Sequence, residues 1–174
     1  MIKNDYETRA KKFIREITPY LKGIAANKAN LYKIRAAVEK FNNEKHRKVI
    51  VSSGASRIVL VTSDYVIKLN CGTTWAGNCE TELLAYNKTK EAGYEYLLAK
   101  ISYYRFGNRN YYIMPRATIA EELLFDYTVR LWKQLSEDEL HWLRDNFYDI
   151  HDANWGTLNG KLVIIDYAFN GFRK

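Results

Sequence analysis

The chain has 174 residues, 47% hydrophobic and 14% aromatic, with nine Gly and two Pro; that predicts one domain, or one domain with an appended arm, able to bury a proper core, and it excludes disordered and collagen-like classes. Its two cysteines, Cys71 and Cys79, form no CxxC pair and have no histidine at ligand spacing, which excludes a zinc motif, and no apolar run approaches the roughly 18 to 20 residues of a membrane span. The formal charge of +7 is uneven: residues 1–50 hold thirteen Lys and Arg against five Asp and Glu, a net +8, while the remainder sums to −1.

In chain order, Tyr6, Ala10, Phe13, Ile14, Ile17, Leu21 and Ile24 recur at steps of three and four, which predicts an amphipathic helix over 5–26, capped by Asn4 and kinked or divided by Pro19. Leu31, Ile34, Val38 and Phe41 predict a second helix from a cap near Asn30 to the Asn42-Asn43 pair. β-Branched runs over Val49 to Val51, Arg57 to Thr62 and Tyr65 to Leu69, parted by Ser-Gly-Ala-Ser and Ser-Asp, predict a three-stranded antiparallel meander. A helix over about Ala76 to Glu91, closed by Gly93, follows. Then come strands Leu98 to Arg105 and Asn110 to Met114 around Gly107-Asn108. Past Pro115 the pattern predicts a helix over Ile119 to Leu135 and a second opened by a capping box, Ser136 with Glu139. Last are two short strands, Asn154 to Leu158 and Lys161 to Ile165, around the strong hairpin signal Asn159-Gly160.

Chemistry concentrates around that hairpin. Phosphoryl transfer needs a carboxylate near the attacking hydroxyl and further oxygen ligands for Mg²⁺, and a hairpin with Asp149 and Asn154 in its entry loop and Asp166 at its exit supplies all three. Taken alone, a D-x-H-x-x-N spacing reads equally well as a polar loop of Asx turns. Upstream, Lys68 sits inside Val66-Ile67-Lys68-Leu69, where a charge is costly unless paired. Ser53, Gly54 and Ser56 lie one strand before it, and Glu80 and Glu82 lie in the next helix. This is the order of a nucleotide clamp: loop, strand, lysine strand, acidic helix. The bland reading makes Lys68 an edge-strand lysine facing solvent and Glu82 part of a solvated helix face. His46 and His141 have no partners at metal spacing and read as surface residues.

Over about Val49 to Tyr167 the sequence resembles the protein-kinase-like superfamily, which spans eukaryotic-type protein kinases and aminoglycoside or choline phosphotransferases. Val66-Ile67-Lys68 is similar to the V-A-I-K strand, which implies that Lys68 contacts the α- and β-phosphates of ATP and pairs with a helix glutamate, for which Glu82 is the better match and Glu80 the alternative. Tyr112 to Arg116 falls where such folds place the hinge that receives adenine, which implies nucleotide contacts at Met114 and Arg116. Asp149 matches the catalytic-loop aspartate, Asn154 the metal-binding asparagine and Asp166 the aspartate of D-F-G. His151 follows the small-molecule phosphotransferases. The sequence departs from the family pattern in having one loop glycine, in Phe147 replacing the histidine of H-R-D, and in Asp166-Tyr167-Ala168 with eight residues following Asp166. That brevity resembles compact serine/threonine kinase-like proteins of some bacteriophages, and it predicts no activation segment.

The expected architecture is a minimal kinase-like α+β fold. It comprises a basic helical arm (1–47), a five-stranded antiparallel lobe with one helix (48–116) and a reduced C-terminal lobe with the catalytic loop and metal-binding hairpin (117–174). The expected activity is ATP- and Mg²⁺-dependent transfer of a phosphoryl group to a hydroxyl of a protein or small molecule, in the cytoplasm. Two rivals stay open. One is a pseudokinase acting as a binding module; the other is a nucleic-acid-binding protein, and the basic arm itself could draw nucleic acid or an acidic protein.

Overall fold

The computed structural model describes residues 5–54, 56–71, 79–119, 133–147 and 154–167. Helix α1, Tyr6–Ile17, buries Tyr6, Ala10, Phe13, Ile14 and Ile17 along one stripe. Its N-cap is Asp5, without a side-chain hydrogen bond; the Asn4 cap expected from the sequence lies outside the described residues. The helix stops nine residues short of expectation because Pro19 has no N–H to continue the ladder. Turns of i→i+3 type carry the chain on through Ile24, so Leu21 still reaches the core.

Helix α2, Leu31–Lys45, runs past Asn42-Asn43 and ends at His46, whose φ of 50° is left-handed. Asn42 does not break the helix because its amide faces outward to the next segment, donating to the Val49 carbonyl at 2.9 Å and accepting from the Val49 N–H at 3.0 Å.

Five strands form one antiparallel sheet: β1 Ile50–Ser53, β2 Arg57–Val61, β3 Tyr65–Asn70, β4 Ser102–Phe106 and β5 Arg109–Pro115, in the order β1-β2-β3-β5-β4. The predicted strand from Leu98 starts four residues later, because the Leu98 and Ala99 backbone pairs with Ile164 instead. One sheet face, with Ile58, Leu60, Tyr65, Ile67, Leu69, Tyr111 and Ile113, shares a core with α1 and α2. Phe13 anchors that core, edge-on to Phe41 at 5.5 Å and to Tyr65 at 6.0 Å. The two N-terminal helices are therefore part of the sheet's own core. With β1 to β5 they make one compact unit, Met1–Thr74 with Ile101–Arg116.

A second unit holds Trp75–Lys100 and Ala117–Lys174. Within it, α3 (Cys79–Glu91) buries Cys79, Glu82, Ala85, Tyr86 and Thr89 at helical spacing and closes with Gly93 at φ 85°. Helix α4, Glu137–Asn146, carries the expected capping box between Ser136 and Glu139. Strands β6 (Trp155–Leu158) and β7 (Lys161–Ile164) make the expected hairpin, with Asn159 and Gly160 at φ 51° and 76°, as a type I′ turn requires. Expected helix residues 120–132 lie outside the described residues. Among the described residues no helix is long and apolar enough to cross a membrane.

Candidate functional site

Strand β3 runs through the middle of the sheet, flanked by β2 and β5, and its alternation sends Tyr65, Ile67 and Leu69 into the helical core and Val66, Lys68 and Asn70 to the other face. Lys68 is thus no edge lysine. It lies between Val59 and Tyr112 in the sheet register and is 6% exposed. A buried ammonium requires compensation, and Lys68 is not without a partner.

The first unit's other expected residues lie along the same strand. Val66, two residues before Lys68, pairs with the buried Met114. At the opposite end the Cys71 N–H donates to the Ser56 carbonyl at 2.7 Å, which docks the β1–β2 turn beside the end of β3. Five steps of strand, about 17 Å at ~3.3 Å each, separate the Met114 level from that turn, with Lys68 near the middle. Ser53 pairs with Ile58 in the strand register and is exposed. The Gly54 N–H donates to the Arg57 carbonyl at 2.9 Å, so it closes the hairpin and is not directed outward. Arg116 ties down the β2–β3 turn: its backbone N–H donates to the Asp64 carbonyl and its guanidinium to the Thr62 carbonyl at 2.8 Å.

In the second unit, Glu82 lies on the buried stripe of α3 and is fully buried, while Glu80 is exposed, so the helix distinguishes the two carboxylates that the sequence left open. Glu82 too is not without a partner. Lys68 and Glu82 belong to different units.

The hairpin mouth is built more tightly. The β6–β7 register pairs Trp155 with Ile164, and one step further out the Ile165 N–H donates to the Asn154 carbonyl at 2.7 Å. Asn154, 9% exposed, is thereby held alongside Ile165 and its neighbour Asp166. Tyr167 fixes the exit: it is 2% exposed, donates its hydroxyl to the Ala99 carbonyl at 2.6 Å, and meets the Phe147 ring edge-on at 6.4 Å. Gly156 is needed where it stands, since a Cβ there would come within 2.7 Å of the Ala117 Cβ. One amide oxygen and one carboxylate are a hard, all-oxygen pair, which suits Mg²⁺, an ion that takes one or two carboxylates and fills its shell with water and phosphate oxygens. Asp149 and His151 lie outside the described residues.

The basic residues of α1 do not share one face. Lys11 sits over the Tyr104 ring at 5.8 Å and Arg15 donates to the Tyr104 hydroxyl at 3.0 Å, while Lys12 faces a cavity on the other side of α1 with Arg9, His46, Arg47 and Lys48. The net charge of residues 1–50 signalled a basic surface, but not that distant segments converge on one pocket. No protein-family model matches the chain, and no curated protein matches it.

Proposed function

We propose that the chain is a phosphotransferase that moves the γ-phosphoryl group of ATP to a hydroxyl, on a minimal kinase-like fold. The observation that carries this reading is the buried Lys68 on the central strand, on the sheet face opposite the helical core and near the middle of the stretch between the β1–β2 turn and Met114. An extended nucleoside triphosphate laid along that face has its base near Met114 and its phosphates near Lys68 and the turn bearing Ser53, Gly54 and Ser56.

In this reading Lys68 steadies the phosphates, and Glu82 is the carboxylate that keeps the lysine charged and oriented. Asn154 and Asp166 are the residues that would hold Mg²⁺, which would supply charge neutralisation on the transferring phosphates. Asp149, assigned from its spacing to Asn154, aligns the acceptor hydroxyl and takes its proton; alignment is the larger part, because the transition state is loose. The β6–β7 register supports this division by keeping Asn154 beside Asp166. The acceptor is assigned to a protein serine or threonine, with the small-molecule hydroxyl suggested by His151 as the other outcome of the labelling test.

A second reading, a nucleotide-binding module without turnover, is favoured by one observation: the Gly54 N–H is engaged by Arg57, which removes a backbone donor from the phosphate cradle. Incubating the pure chain with γ-labelled ATP and Mg²⁺, alone and with cell lysate, decides between them. Label on itself, on proteins or on metabolites supports the enzyme and names its acceptor class. Asp149→Asn should then cut transfer about a hundredfold or more with ATP affinity kept. ATP binding with no transfer to anything selects the binding module.

A further inference from the structure

We infer that the first unit carries a second, separate site: an anion pocket that takes a phosphate monoester, presented by a phosphorylated side chain or a small phosphate ester. Three stretches far apart in sequence build a cavity of about 400 Å³: Arg9 and Lys12 from α1, His46, Arg47 and Lys48 from the turn after α2, and the β2–β3 turn with Asp64. Four Lys or Arg side chains thus face a single carboxylate across one concavity. That carboxylate is matched by Arg9 at 2.6 Å, and Arg47 has a longer contact to Glu16 at 3.7 Å. The side chains of Lys12, His46 and Lys48 have no hydrogen-bond or ion-pair partner among the described residues. Cations gathered in this way repel one another, and a bound dianion relieves that repulsion.

The backbone beneath the pocket is fixed before any ligand arrives. His46 in its left-handed conformation turns the chain out of α2, and the Asn42 amide grips both backbone groups of Val49. Across the cavity, the Thr62 hydroxyl donates to the Tyr65 carbonyl at 2.7 Å while Arg116 holds the Thr62 carbonyl. The cations therefore project from a rigid frame, which lowers the ordering cost of binding.

Shape and charge select the ligand. A phosphate monoester carries about −1.5 to −2 at pH 7 and three strong acceptor oxygens. The volume lies in the ~300–1,000 Å³ range of small-ligand pockets. A nucleic-acid backbone needs cations strung along a stripe, whereas here they converge on one concavity. This site is independent of the phosphotransferase reading. Tyr65 at its edge is three residues, about 10 Å, from Lys68 and faces the opposite side of the sheet.

The test is calorimetric titration of the full chain at physiological salt with O-phosphoserine, a phosphoserine peptide of otherwise neutral composition, the same peptide unphosphorylated, and a single-stranded DNA 20-mer. The phosphorylated peptide should bind and its plain form should not; equal affinity for O-phosphoserine marks a small ester as the ligand, weaker affinity a phosphorylated protein. Lys12→Gln with Lys48→Gln should weaken phosphopeptide binding about tenfold or more, with the melting temperature unchanged because both side chains are exposed, and Lys28→Gln with Lys33→Gln should leave it unaltered. The inference is overturned by equal affinity for the two peptides, by wild-type affinity in the Lys12/Lys48 variant, or by DNA binding more tightly than both phosphomonoesters.

Discussion

An ammonium group at the centre of a five-stranded sheet has lost most of its hydration, so its retention there needs a use or a strong partner. In a phosphotransferase the use is the nucleotide's phosphates, and Lys68→Met removes it while keeping the stem that packs between Val59 and Tyr112. Hydrogen bonds to charged groups contribute about 1.5–3 kcal/mol, so ATP affinity should fall roughly ten- to a hundredfold in a binding titration, with cooperative unfolding preserved. Unaltered affinity would remove Lys68 from the site. Two glycines make a second contrast between neighbouring surroundings. Gly54 has nothing within 4 Å of the position a Cβ would take and its φ is not left-handed, so Gly54→Ala should change unfolding free energy by less than about 1 kcal/mol. Gly156→Ala forces a 2.7 Å approach to Ala117 and should destabilise the chain by about 1–3 kcal/mol in denaturant unfolding.

Among the elements, α4 is the one whose start is most fully specified. Glu139 accepts from the Ser136 N–H at 2.6 Å as part of the capping box and also from the Tyr96 hydroxyl. The Tyr96 hydrogen bond first, and the Ser136 backbone second, hold the Glu139 carboxyl below its ordinary value of 4.5; the same contact pushes Tyr96 up to about 12. A carboxylate depressed in the folded state adds stability above its unfolded pKa and loses it as pH falls through the folded one. Thermal midpoints should therefore drop on acidification below about pH 4.5, and Tyr96→Phe should flatten that drop; an identical acid profile in the variant would show the contact to be without effect. The capping box, the Asn159-Gly160 hairpin and the meander were all legible in the sequence because each rests on residues within a few positions of one another. The hairpin also fixed a longer relation: with its turn at 159–160, register arithmetic sets Asn154 opposite Ile165, next to Asp166. The ends of α1 and β4 were less legible. Thr18, just before Pro19, keeps helical dihedrals and Leu21 beyond it still donates to the Ile17 carbonyl, while Leu98 and Ala99 have strand-like composition but pair with β7, a choice made by tertiary contacts.

For the molecule as a whole, the helices that the sequence sets apart as a basic arm are half of a core. Phe13, Ile14, Ile17, Leu21, Ile34 and Phe41 are almost fully buried, and together they cover one face of the sheet. Removing residues 1–47 would bare Ile58, Leu60, Ile67, Leu69, Tyr111 and Ile113, a patch far beyond the few hundred Å² tolerated on a soluble surface. The truncated chain should be insoluble or unfolded by circular dichroism; a truncated chain that melts cooperatively would contradict the shared core. The arm's charge was plain from composition, but its division into a Tyr104-facing row and a pocket-facing row was not, since it depends on which sides of α1 the sheet and the turn after α2 occupy. Equally, the sequence could name Lys68 and Glu82 as candidates but could not tell buried from solvated, because burial depends on strand order and on the stripe a helix presents.

Binding of Mg²⁺-ATP through Lys68, Asn154 and Asp166, on which the proposed activity depends, is tested most directly by thermal unfolding with and without millimolar ATP and Mg²⁺. A ligand bound by the folded state alone stabilises it by RT ln(1 + [L]/Kd), about 2.7 kcal/mol at a hundred times Kd. The expected result is a rise in melting temperature of several degrees that needs both ATP and Mg²⁺ in full, loses its Mg²⁺-dependent part in Asp166→Ala, and is largely absent in Lys68→Met. A melting temperature that does not move with ATP and Mg²⁺ in the wild-type chain would contradict both the phosphotransferase and the nucleotide-binding readings.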